Sequence, residues 1–272
     1  MELIHLTSRA LLRLRGADAH DLLQATCTQD VRKLADTPLL YGAHLTPQGR
    51  LVGDFLFFEQ EGDLLLDVHK EALMHVARGM HKFKAAMDVT FEDLTDDYAV
   101  LVNLAEGGDG MPDPRLPGLG RRVYRPQVPT DAVDEVNFEV VRMQAGVPDG
   151  WVDAPSGKAL PAELGLEHLH GVAFDKGCYV GQEVTARLQF RGEAKKAVYM
   201  CDYTGDAVPH TAVTLATGND AGWLGSYADG IALVVLPKRH AAKNLFVGEV
   251  PLKNLRLPAY VKQGTPESEY SE

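Results

Sequence analysis

Lys176-Gly177-Cys178-Tyr179-Val180-Gly181-Gln182-Glu183 sets one thiol among glycines, two residues after a lysine, with a carboxylate within a helical turn beyond it. Downstream, Val184, Leu188 and Phe190 alternate with polar Thr185, Arg187 and Gln189, a pattern that suits an amphipathic helix opening near Gly181. A thiol just ahead of a helix start faces unpaired backbone N–H groups and the positive end of the helix dipole. Lys176 adds a second favourable charge, and both effects lower a thiol pKa and favour the nucleophilic thiolate. The competing reading of Cys178 is a small buried hydrophobe, the commonest fate of a free cysteine.

Around this stretch the composition sets bounds. The chain has 272 residues, enough for two or three compact units with their own cores. With 27 Lys plus Arg against 38 Asp plus Glu, the formal charge is −11. That argues against a general nucleic-acid binder, whose affinity comes from neutralising phosphates. Arg121, Arg122 and Arg125 are the best local basic patch, and they read more simply as a solvated strand face. Cys27, Cys178 and Cys201 lie far apart without a Cys-x-x-Cys pair, which speaks against a disulfide framework or an all-cysteine metal site and for a reducing compartment. The opening Met-Glu-Leu-Ile-His lacks a basic region followed by an apolar run, and no apolar stretch reaches the roughly 18 residues of a membrane span. The expected location is cytoplasmic, with protein partners and neither direct nucleic acid nor membrane.

The periodicity reads as α+β. Asp18 is a candidate N-cap for a short helix through Leu22 and Leu23. Residues 39–46, 51–58 and 64–68 read as an antiparallel meander, with turns at Thr46-Pro47-Gln48-Gly49 and Glu61-Gly62-Asp63. A helix is expected over 70–84, then strands near 88–93 and 97–104. Thr130 is a candidate cap for a helix over 131–145, ended by Gly146 and Pro148. Beyond 195 the pattern turns to short strands at 196–203, 212–216, 221–227, 230–236, 245–250 and 253–257, as in a small barrel or sandwich. The tail from Lys262 is polar and expected to be disordered.

Asp54 stands in an otherwise apolar strand, on the face of Val52 and Leu56. A carboxylate there faces solvent, finds an internal partner, or binds a ligand's polar edge. The ten histidines show no His-Glu-x-x-His or zinc-finger spacing, and His168 and His170 read as loop residues. Gly107-Gly108-Asp109-Gly110 lacks the Gly-Lys-Ser/Thr of a phosphate loop, and no serine sits in a nucleophile elbow.

The extended stretch FDKGCYVGQEVTARLQFRG resembles the signature of the YgfZ-type folate-binding proteins. These are iron–sulfur cluster maturation factors that share the fold of aminomethyltransferase, the T-protein of glycine cleavage. GADAHDLLQATCTQDV, YGAHLTPQGRLVGDFLFF, DPRLPGLGRRVY, FEVVRMQAGVPDG and LPAELGLEHLHGVAF resemble further family segments, so the likeness covers most of the chain. It departs at Ala25, where a glycine is usual, and at Gly53-Asp54, where the transferase branch carries two acids.

The resemblance implies a three-domain ring around a central folate-binding hole. A discontinuous domain would comprise 1–48 and 126–195, a ferredoxin-like α+β domain 49–125, and a small β-barrel 196–261, before a tail at 262–272. It implies a tetrahydrofolate site with Arg142 as its contacting arginine. Asp54, Lys176, Gly177, Tyr179, Gly181, Gln182 and Glu183 would lie alongside, and Cys178 would be the working thiol. The implied role is an accessory factor for iron–sulfur cluster assembly or repair, with assembly proteins or client enzymes as partners and only an indirect link to tRNA modification. The alternative is a tetrahydrofolate-dependent aminomethyltransferase or demethylating enzyme in which Asp54 orients the amine or takes a proton.

Overall fold

Three antiparallel-rich sheets organise the chain in a computed structural model that describes residues 3–192 and 194–262. The first sheet runs Leu40–Leu45, Leu51–Gln60, Asp63–His69, Arg9–Arg15 and Thr90–Asp93 in spatial order. Its long strand, Leu51–Gln60, is buried on both faces, which explains the unbroken apolar run of its sequence. Phe55 and Phe57 point to one face and pack with Leu22 and Leu23 of helix α1 (Ala19–Thr26) and Val76 and Met80 of helix α2 (Leu73–His81). Leu56 and Phe58 point to the other face, into the largest core, shared with Val100, Val102, Phe138, Met143 and Leu233.

The second sheet runs Val133–Asp134, Leu3–His5, Ala99–Asn103, Arg121–Arg125 and Met111–Pro112. The third has seven strands between Lys196 and Arg256 and forms a nearly closed, barrel-like sheet with its own core of Cys201, Leu224, Val234 and Leu236. Helix α3 (Val136–Ala145) packs between this sheet and the first two, and helix α4 (Gln182–Arg191) follows the signature. No described helix is long and apolar enough to cross a membrane.

Several boundaries differ from the sequence reading. The helix expected over 131–145 begins only at Val136, because Val133 and Asp134 pair in parallel with Ile4 and His5. Thr130 therefore caps nothing, and Glu135 instead accepts hydrogen bonds from Thr7 Oγ1 and Ser8 N. The helix expected over 70–84 is a 3-10 turn at Lys70–Ala72 followed by α2, which stops at His81. Asp18 holds the N-cap position of α1, but its carboxylate accepts from Asp88 N rather than from its own helix. The 48/49 division falls inside the turn of a hairpin whose strands, Leu40–Leu45 and Leu51–Gln60, pair along their length, so it marks no break between units. The expected tail lies outside the described residues beyond Lys262.

Candidate functional site

Cys178 is exposed at the surface, so the buried-hydrophobe reading does not describe it, although it does describe Cys27 and Cys201. The thiol stands on an open hollow of about 560 Å³, whose wall is Pro47, Gln182, Ala186 and Phe190, with Glu183 and Arg187 at its edge. Phe190 is 74% exposed, a large ring left in water. Glu183 and Arg187 pair across one turn at 2.7 Å, and both are largely solvated, which gives the pair little weight in stability.

Local chemistry explains why the chain turns here. Gly181 adopts φ +82° just before α4, a backbone region that side chains rarely tolerate. A Cβ at Gly181 would come within 2.6 Å of Thr46 O and 3.1 Å of Gly49 Cα. The Thr46–Gly49 hairpin turn thus packs directly against the start of α4, and Pro47 reaches the hollow from it. Gln182 Oε1 accepts from Tyr179 N at 3.4 Å, while Gln182 N donates to Tyr179 O. The Tyr179 ring is buried, and burial pushes its hydroxyl pKa up to about 12.

Lys176 does not sit beside the thiol as a charge partner. Its ammonium is buried and donates to the carbonyls of Gln24, Cys27 and Gln29 at 2.7, 2.7 and 2.8 Å. Burial lowers its pKa, opposed by neighbouring Cys27 and Asp30. The part expected of Lys176 in activating Cys178 is therefore corrected: the charge is turned into the protein.

Asp54 and Arg142 lie apart from the hollow. Asp54 is 2% exposed, with Oδ2 accepting from Tyr41 Oη at 2.8 Å and Oδ1 from Gly150 N at 2.9 Å. Burial first, and the nearby Asp149 second, raise its pKa, against Arg9, Tyr41 and Arg115. Arg142 spends all five of its N–H donors inside the protein. Nε and Nη2 bind Glu139, Nη2 also binds Ser226 Oγ, and Nη1 binds Val147 O and Asp153.

These two residues belong to a buried polar network that joins the three sheets. Arg9 binds Asp67 and Asp149, and Asp149 N donates to Asp153, the partner of Arg142. Tyr124 Oη and Arg122 reach Asp67 from the second sheet, and Arg122 also faces Asp113. Arg115 pairs with Asp113 at 2.7 Å and lies over the Tyr41 ring, 5.5 Å from its centroid. Arg122 is thus buried rather than part of a solvated strand face, because two carboxylates neutralise it inside. The sequence reading missed this network. Its signal was there: Asp67 interrupts an apolar strand as Asp54 does, and Asp113-Pro114-Arg115 puts opposite charges two apart.

Of the eight residues expected around tetrahydrofolate, Tyr179, Gly181, Gln182 and Glu183 line the hollow, while Arg142 and Asp54 are turned into the protein. Arg142 has no free donor, both oxygens of Asp54 are engaged, and neither lines the hollow at Cys178. Among the described residues no cluster of three His, Cys, Asp or Glu is placed to hold a metal ion.

Comparison with known proteins then places the chain. No protein-family model matches it. A Haemophilus influenzae protein, described only as uncharacterized, is 30% identical over 205 residues, covering 73% of this chain and 72% of its own length. The chain belongs to that protein's family. Among its other homologues are mitochondrial proteins named iron–sulfur cluster assembly factor IBA57. The one from Mycosarcoma maydis is 31% identical over 218 residues, 70% of this chain, and the one from Mus musculus is 29% identical over 259 residues, 80% of this chain. The chain spans 54% of the Mycosarcoma protein and 72% of the mouse protein. In structure it resembles the aminomethyltransferase T of the glycine cleavage system from Bartonella henselae, with a TM-score of 0.71 at 12% identity, covering 96% of this chain and 86% of that one. The fold is aminomethyltransferase-like, as the sequence resemblance implied.

Proposed function

We propose that the chain is an iron–sulfur cluster assembly or repair factor whose working group is the Cys178 thiol. The observation that carries this is an exposed sulfur on a glycine-flanked loop, at the rim of an open hollow beside an uncovered aromatic ring. The homologues named as cluster assembly factors support the process. As a thiolate, Cys178 is a soft ligand suited to iron. One thiolate cannot complete the ligand set of a cluster, so the other ligands come from a partner protein or a small thiol. The cluster is cargo held between two molecules, and the hollow gives the second molecule its seat. Three unpaired cysteines, one of them exposed, suit a reducing compartment.

Aminomethyl transfer through Asp54 is not part of this reading, since that carboxylate is buried and doubly hydrogen-bonded. Tetrahydrofolate is not part of it either, because Arg142 has no free donor and Asp54 is buried away from the hollow. The test is replacement of the sulfur. In cells lacking their own copy, Cys178→Ser is expected to fold and accumulate normally yet fail to restore iron–sulfur enzyme activity. Full restoration by the serine variant sinks the proposal.

A further inference from the structure

The segment that carries Cys178 is fastened on both sides of the sulfur to one place, the C-terminal end of α1. A helix end leaves its last carbonyls without partners inside the helix. In α1, Leu23 O is taken by Cys27 N and Thr26 O by His44 Nδ1. Between them, Gln24 O accepts from Lys176 Nζ at 2.7 Å and Ala25 O from Val180 N at 2.9 Å. Lys176 goes further, for its other two N–H bonds reach Cys27 O and Gln29 O in the chain that leaves the helix. All three donors of the ammonium are therefore satisfied. Its charge also lies at the negative end of the helix dipole. Gly177 and Cys178 are exposed in the gap between the two anchors.

We propose that Lys176 is a positioning residue for the Cys178 thiol: with the Val180 amide it staples the loop to the end of α1 and holds the sulfur outward as an arch. This rests on the reading of Cys178 as the working thiol. A compact ammonium suits the task, since three carbonyls converge on one point that a planar guanidinium cannot serve. Orphaning those carbonyls would free the loop to move while leaving the sheets untouched.

The test uses the full chain with Lys176→Met, and with Lys176→Gln, a milder change that keeps two donors. Hydrogen exchange is followed at the amides of Gly177–Gly181 and, as a reference, of Asp63–His69. A nitroxide attached to native protein reports on Cys178 alone, because Cys27 and Cys201 are both 0% exposed. Both variants are expected to speed exchange in the loop by about tenfold or more with the reference strand unchanged. They should also turn an immobilised nitroxide spectrum into a mobile one, and lower activation of iron–sulfur enzymes in cells by about tenfold. Should Lys176→Met fail to fold, Lys176→Gln decides. Loop exchange and nitroxide mobility like the wild type in a folded variant overturn the staple. A loosened loop with full activation overturns its role in positioning. Full activation by Cys178→Ser instead defeats the reading of the thiol, and the exchange and nitroxide data still judge the staple.

Discussion

The signature loop and the Asp54–Arg142 network are both built from residues that the family resemblance marks as functional, yet the fold treats them in opposite ways. Around Cys178 the Lys176 ammonium and the Val180 amide face inward and are satisfied, and the sulfur is left outside. Around Arg142 and Asp54 the buried charges are paired with one another within the protein. The difference teaches that a motif residue can be kept for binding or for holding sheets together, and that its hydrogen-bond partners separate the two cases. Buried charges of the second kind persist only when paired, since an unpaired one carries a heavy desolvation cost.

The largest effect on stability is expected at the network. Arg142→Ala leaves Asp153 buried without its cation and strips Ser226 and Val147 of their donor, which should cost about 3–5 kcal/mol by denaturant unfolding. Saturable binding of a reduced folate that Arg142→Lys removes while unfolding stays unchanged would break the contrast between the two regions. Gly181→Ala comes next, because φ +82° and the contact with Thr46 O both resist a Cβ, with an expected loss of about 1–3 kcal/mol.

Asp54→Asn sharpens the comparison through pH. The raised pKa of Asp54 means that the folded chain holds its proton more tightly than the unfolded chain does. Its favourable contribution is then full below the unfolded value near 3.9 and is lost as pH rises through the folded pKa. The asparagine keeps a partner for both Tyr41 and Gly150 and does not ionise. Its stability relative to the wild type should therefore rise from pH 4 to pH 8 in denaturant unfolding. A fall over that range means the charge of Asp54 stabilises the network. The smallest change in stability is expected for Cys178→Ser, within about 0.5 kcal/mol, although the same variant loses function.

Much of this molecule is legible in its residues. The apolar strand Leu51–Gln60, the Pro-Gln-Gly turn before it and most short strands beyond Lys196 took the expected form, whereas the strand expected at 245–250 is a hairpin of Leu245–Val247 and Val250–Pro251. So did the helix opening at Gly181, since a glycine at positive φ and an amphipathic run are local facts. What was not legible depends on distant partners. Val133 and Asp134 leave a helical pattern because Leu3–His5 is there to pair with them. Lys176 looks like a companion of Cys178 in sequence, yet the carbonyls that claim it lie about 150 residues away, at Gln24, Cys27 and Gln29. Arg122 reads as a surface residue until Asp67 and Asp113 arrive from elsewhere in the chain.

The back-to-back contact of Gly49 and Gly181 has a mechanical consequence. With no side chain between them, the tip of the hairpin is a buttress under the first turn of α4, and Val184 would be met at 2.9 Å by any Cβ on Gly49. A visitor leaning on Ala186 or Phe190 therefore pushes on a helix whose first turn is braced by the hairpin beneath it.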